Sequence, residues 1–107
     1  SVSDIVWAPS PSPAVIESGT PECRESVLHA AGDLEIGFWS VTPGRFKSKK
    51  IGIGETMTFL EGKGTLFHAD GTSTALAPGV VVHLEPGWEG VWDVQEPIVK
   101  AYTIFPA

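Results

Sequence analysis

Glycine and proline interrupt this chain about every ten residues: Pro43-Gly44, Gly52 and Gly54, Gly62 and Gly64, Asp70-Gly71, Pro78-Gly79, Pro86-Gly87, then Pro97. Together the 12 glycines and 9 prolines make up about a fifth of 107 residues, well above average usage. No helical period is sustained between the breaks. The intervening runs are short and rich in Val, Ile, Phe, Trp and Thr, which reads as the strands of an all-β sandwich or barrel. Strands are expected over residues 23–29, 34–42, 55–60, 64–68, 73–76, 80–84, 90–94 and 98–105, with a possible edge strand at 4–8. Ser10-Pro11-Ser12-Pro13 must be extended, because each proline lacks a donor and restricts the residue before it. Residues 1–13 are therefore expected to form an N-terminal arm and linker, and residues 14–107 one domain. The arm is either a frayed end or a strand lent to a partner subunit, in which case the chain is a homodimer.

Composition narrows the function classes. Apolar residues are 42% of the chain and charged ones 19%, enough burial for a folded core. No apolar run approaches the roughly 20 residues of a membrane span, and the start lacks the basic and apolar segments of a signal peptide. A formal charge of -6 has the wrong sign for nucleic-acid binding by counterion release. Cys23 stands alone, so no intrachain disulfide calls for an oxidising compartment. These features point to a cytoplasmic domain with no membrane or nucleic-acid partner.

Two segments carry a family resemblance. The run from Gly44 through Glu55 to Gly62 (GRFKSKKIGIGETMTFLEG) resembles the first motif of the cupin barrels, with six residues between the glutamate and the closing glycine. The run from Gly79 to Trp92 (GVVVHLEPGWEGVW) is similar to the second. More narrowly, Gly37-Phe38-Trp39, Thr42-Pro43-Gly44, Phe59-Leu60-Glu61-Gly62, Gly87 to Trp92 and Lys100-Ala101-Tyr102 resemble the small cupins related to ureidoglycine aminohydrolase. The resemblance implies an antiparallel β-barrel of the jelly-roll type with a pocket at one end. It also exposes a departure. Metal-binding cupins place a His-x-His pair before the glutamate and a further histidine in the second motif, whereas residues 48–51 and Gly90 hold those places here. Only Glu55 of the four ligand positions remains, and one carboxylate does not make a transition-metal site. No metal and no cofactor are expected.

The same resemblance points the Glu55 side chain into the barrel, and strand alternation puts Met57 and Phe59 on its face. A buried carboxylate needs a partner, and the nearest cations along the chain are Lys49 and Lys50. Such a pair can serve as acid and base, since burial moves both pKa values toward neutrality; alternatively Glu55 merely ties down the loop before it. Arg45, Lys47, Lys49 and Lys50 read either as an exposed hairpin edge or as an electropositive rim. His68, before a turn, is expected to be exposed. His83 lies within an apolar strand as a core group or a ligand contact. Trp88 and Trp92 flank the second motif, where an aromatic ring can stack on a ligand. Trp39 and Trp92 also suit core packing or a dimer contact. Lys100 and Tyr102 share one face of the last strand. The expectation is a metal-independent cupin binding a small polar, nitrogen- or carboxylate-bearing metabolite. If catalytic, it is a hydrolase or lyase with Glu55 as general base, Lys49 or Lys50 beside it and Lys100 available to hold an anion. The rival readings are a non-catalytic sensor and an assembly domain.

Overall fold

The computed structural model describes residues 1–107. After a single 3-10 turn, Val2–Asp4, the chain forms nine strands: β1 (Ala8–Pro9), β2 (Val15–Gly19), β3 (Cys23–Ala31), β4 (Leu34–Val41), β5 (Gly44–Lys49), β6 (Ile53–His68), β7 (Ser73–Leu76), β8 (Val81–Leu84) and β9 (Glu89–Pro106). Every pairing is antiparallel. The fold is the expected cupin jelly roll.

Two strands are much longer than the sequence suggests. Residues 55–60 and 64–68 are one strand, β6, and residues 90–94 and 98–105 are one strand, β9. Each belongs to both walls of the barrel. In one wall, residues 98–106 of β9 lie between β4 and residues 53–61 of β6, with β3 and β8 beyond; in the other, residues 89–94 lie between β5 and residues 64–68, with β2 and β7 beyond. The walls meet where both long strands bend, around Gly62 and Pro97, and three register shifts of β6 against β9 fall there. Gly62 holds φ +97°, and a Cβ on it would run into the Pro97 carbonyl. Gly62 therefore makes a corner that only glycine fits, where the sequence pattern suggested a chain reversal. Pro97 sits at a bend, where its missing N–H breaks no ladder.

Two strands went unforeseen, β2 and β5. Residues 15–19 carry no strand assignment from the sequence, and the basic run reads as a hairpin edge or an electropositive rim, yet β5 is an interior strand between β2 and β9. Arg45 is held there by Glu17 at 3.0 Å and Asp93 at 3.5 Å, and lies over the Phe67 ring. The basic run is thus not a hairpin edge. The arm folds onto its own barrel: Ala8 and Pro9 pair with Glu25 and Arg24, the Ser10 N–H donates to the Cys23 carbonyl, and Trp7 lies beneath the Arg24 guanidinium.

Between the walls lies the core, including Phe59, Met57, Leu66, Leu84 and Ile98, all almost fully buried. Trp92 is its hub, with ring centroids of Trp39, Phe46 and Phe59 at 5.5, 5.9 and 6.0 Å. Aromatic clusters of this kind combine large buried area with favourable ring geometry.

The corner yields a stability prediction. Gly62→Ala should cost about 3 kcal/mol or more in urea unfolding, because strain and collision with Pro97 add. Gly71→Ala, where φ is +90° but no atom lies within 4 Å, should cost only the backbone penalty of about 1–2 kcal/mol. Equal costs at the two positions would show that the corner relaxes freely.

Candidate functional site

Register builds the site. Glu35 of β4, Ile104 of β9, Glu55 of β6 and Leu84 of β8 stand opposite one another across the wall. Two residues along, the row is Gly37, Tyr102, Met57 and Val82; two further, it is Glu25 of β3, Trp39, Lys100 and Phe59. Alternation gives all three rows the same face. Gly37 belongs here for a steric reason, since a Cβ on it would come within 3.1 Å of the Tyr102 hydroxyl and closer still to the Ser26 carbonyl.

At the floor, Glu55 is only 2% exposed and accepts from two ammonium groups. Lys100 Nζ donates to Oε2 at 2.7 Å, and Lys50 Nζ lies 2.7 Å from Oε1. Lys50 reaches in because its backbone is pinned: its N–H donates to the Trp88 carbonyl and its carbonyl accepts from the Gly87 N–H. Lys100 is buried, lies 3.1 Å from the Met57 sulfur, and faces the rings of Trp39 at 4.5 Å and Trp92 at 4.9 Å. Such faces favour a cation electrostatically. Above, the Tyr102 hydroxyl donates to Glu35 Oε2 at 2.6 Å. These groups line a cavity of about 230 Å³ that Ser10, Ser48 and Phe46 complete. A larger groove of about 640 Å³ shares Trp39, Phe46 and Ser48 with it and is lined also by Pro11 and Pro13 of the arm.

The electrostatics follow from burial and pairing. Burial pushes the Glu55 carboxyl up, but Lys100 and Lys50 together outweigh it, and the net shift is downward. Burial pulls the Lys100 ammonium down; Glu55 opposes this, Lys50 adds to it, and the net direction is down. Burial, then the bond to Glu35, raises the Tyr102 phenol, so it stays protonated. Glu55 is therefore an ionised anchor, and Lys100 is the group whose charge is least secure.

Half of the expected residues line the cavity, and the rest do not. Glu55, Lys50, Lys100, Tyr102 and Trp92 line the cavity. Met57 touches Lys100 from below and Phe59 packs on Trp92, so both support the floor without lining it. Lys49 is exposed and lines the outer groove, away from Glu55, because adjacent strand positions face opposite ways. Trp88 donates from Nε1 to His68 Nδ1 at 2.9 Å, and His68 is half-buried where exposure was expected; neither lines the cavity. His83 is on the outer face of β8, bound to Thr56 and Glu85 and stacked on Phe105. The sequence reading missed Glu25 and Glu35 altogether. Glu35 had a signal: it precedes Gly37 and Trp39 at strand parity, a charge on the inward face.

The donor set does not fit the divalent metal of other cupins. Both Glu55 oxygens are taken by ammonium groups, and nowhere do three His, Cys, Asp or Glu side chains converge as ligands. Metal ligands must be free to converge on one point.

Comparison with known proteins places this barrel in a family. Solved structures with the same fold include a protein of unknown function from Pseudomonas syringae pv. tomato, at 29% identity and TM-score 0.83 over 95% of this chain. This chain spans 45% of that one. The ethanolamine utilization protein EutQ of Salmonella typhimurium is 18% identical, with TM-score 0.68 over 80% of this chain and 71% of its own. A predicted oxalate decarboxylase of Thermotoga maritima is 14% identical, with TM-score 0.75 over 98% of this chain and 96% of its own. No curated protein matches the sequence. The model of the EutQ-like cupin domain matches residues 28–102, most of the length, including Lys50, Glu55, Lys100 and Tyr102 of the cavity wall, and the chain belongs to that family.

Proposed function

We propose that this cupin binds a small carboxylate-bearing metabolite in the barrel cavity without a resident metal, and acts on it as a hydrolase or lyase. The observation that carries this reading is one carboxylate, Glu55, shared by two ammonium groups at 2.7 Å on the cavity floor. The Lys50–Glu55–Lys100 triad carries one positive charge in excess, set against Glu25 and Glu35 elsewhere on the cavity wall, and Lys50, with 14% of its side chain exposed, retains donors for an incoming anion. A cavity of about 230 Å³ is below the usual range for drug-sized ligands and suits a small metabolite. The barrel is not packed shut, which weighs against a purely structural domain. We propose hydrolase or lyase chemistry on the resemblance of the sequence motifs to cupins related to ureidoglycine aminohydrolase. Occupancy of both Glu55 oxygens favours a second reading, a sensor that binds and does not turn over.

The setting we propose is cytoplasmic: no helix is long and apolar enough to cross a membrane, and Cys23 is a buried free thiol. We also propose self-association as a homodimer. With the arm paired to its own barrel, residues 26–31 of β3, which pair only with β4 and expose Leu28, are one of the free edges and the one we propose for the contact. Leu28→Glu should lower the mass in light scattering to that of a monomer; an unchanged dimer would place the interface elsewhere.

Formate, acetate, pyruvate and succinate provide the ligand test. At least one should raise the melting temperature by binding the native state, and Lys50→Met should weaken that binding about tenfold while leaving the fold intact. If none of the four stabilises the protein, the carboxylate-binding reading fails. Metal analysis of untreated protein should show far less than one equivalent of zinc, manganese, iron or nickel. A full equivalent that depends on Glu55 would contradict metal independence.

Stability against pH separates the anchoring role of Glu55. Its folded pKa lies below the ordinary value of 4.5, so the unfolded chain binds more protons in the window between the two. Its contribution is complete above the unfolded value and is lost as pH falls through the folded one. Glu55→Gln leaves two lysines without their counterion, and should cost about 3–5 kcal/mol near neutral pH. The gap in melting temperature between wild type and variant should narrow below about pH 4. A gap independent of pH would mean that the carboxylate's charge contributes nothing.

A further inference from the structure

We propose that Lys100 is an amine nucleophile that forms an imine with the carbonyl carbon of a small 2-oxo acid whose carboxylate is held by Lys50. The inference rests on the carboxylate-binding reading above and assigns its substrate class and reaction type. Three features of the geometry converge on it. Lys100 is desolvated among Trp39, Trp92 and Met57, yet its side chain lines the cavity. A second ammonium, Lys50, shares its counterion. A carboxylate, Glu55, lies within proton-transfer distance of the Lys100 nitrogen. Desolvation favours the neutral amine of a lysine, and a carboxylate released from its second cation can take the proton.

The arrangement couples binding to activation. A substrate carboxylate that draws Lys50 away from Glu55 removes one of the two charges holding Glu55 ionised. Glu55 then takes a proton from Lys100, leaving a neutral amine. The lysine nitrogen attacks the carbonyl carbon, forming a C–N bond while the C=O π pair moves to oxygen, and Glu55 returns its proton to that oxygen. A second proton leaves nitrogen for Glu55 and passes to the hydroxyl, which departs as water as the nitrogen lone pair closes the C=N bond. Overall, ammonium and carbonyl give iminium and one water, with no net proton, oxidant or reductant. The iminium then withdraws electrons from the adjoining carbon, as a lyase requires. Glu25 and Glu35 line the β3 and β4 side of the cavity and direct the substrate carboxylate away from that wall, toward Lys50.

Reductive trapping tests this. The full chain is incubated with pyruvate and cyanoborohydride and mapped by mass spectrometry, with propionaldehyde as the carbonyl lacking a carboxylate and the melting temperature read on the same preparations. The expected result is a reduced pyruvyl adduct on Lys100 ahead of exposed Lys47, Lys49 and Lys63, with propionaldehyde labelling Lys100 at least about tenfold more slowly. Lys50→Met, which leaves Lys100 in place, should slow pyruvate trapping about tenfold. Absence of a Lys100 adduct, or one scattered over exposed lysines, overturns the proposal. If pyruvate or another small carboxylate stabilises the protein without labelling Lys100, the imine inference falls and the carboxylate-binding reading stands. If the carboxylates neither stabilise nor label, both fall.

Discussion

The ion triad Lys50–Glu55–Lys100 is the constraint around which the cavity is arranged. A buried carboxylate is tolerated only when its charge is matched and its lone pairs are engaged. Matching it requires the residue just after β5 and the early part of β6, close in sequence, to meet the late part of β9. Lys100 comes directly from strand pairing. Lys50 depends on the Gly87–Trp88 turn that grips its backbone. The second cupin motif therefore contributes a support for a lysine, where in metal-binding relatives it supplies a ligand.

The same geometry depends on the two long strands. β6 and β9 each pass from one wall to the other, so the rows that present Glu55, Lys100 and Tyr102 are continuous with the rows that bury Leu66 and Trp92. Gly62 and Pro97 bend the two strands together. Displacing that corner would alter the register of β6 against β9, and a slip of one residue would turn Glu55 and Lys100 out of the barrel. The fold and the site thus share one mechanical element.

Local periodicity accounts for what was legible in the sequence. The inward face of Glu55, Met57 and Phe59, and the common face of Lys100 and Tyr102, follow from strand alternation and hold in the structure. The cupin fold followed from ordered glycines and motif spacing. Partner identity was less legible, because it depends on pairing between distant strands. Lys100 is 45 residues from Glu55 along the chain, and the sequence nominated nearby Lys49 equally with Lys50. Their backbones separate those two: Lys49 ends β5 facing out, while Lys50 lies beyond the strand, held by Gly87 and Trp88 so that it turns in. His83 reads as internal from its apolar neighbours, but the β8 burial pattern alternates and places it outside. Trp88 sits beside the second motif in sequence, and its indole is committed to His68.

Two ammonium groups on Glu55 suit a different chemistry from a metal. A divalent cation and a pair of lysines would both bring positive charge to the glutamate, but a metal acts mainly by polarising a bound oxygen. Lysines carry protons that can leave, and one that loses its proton in an apolar pocket becomes a nucleophile. Glu55 correspondingly shifts from ligand to proton partner. Its two bound ammonium groups make it too weakly basic to abstract a proton from carbon unaided, so its contribution is conditional on something drawing Lys50 away. A small anion of the kind we propose as ligand could do this. Under that proposal, binding and chemistry would be linked through a single shared counterion, Glu55 between its two lysines.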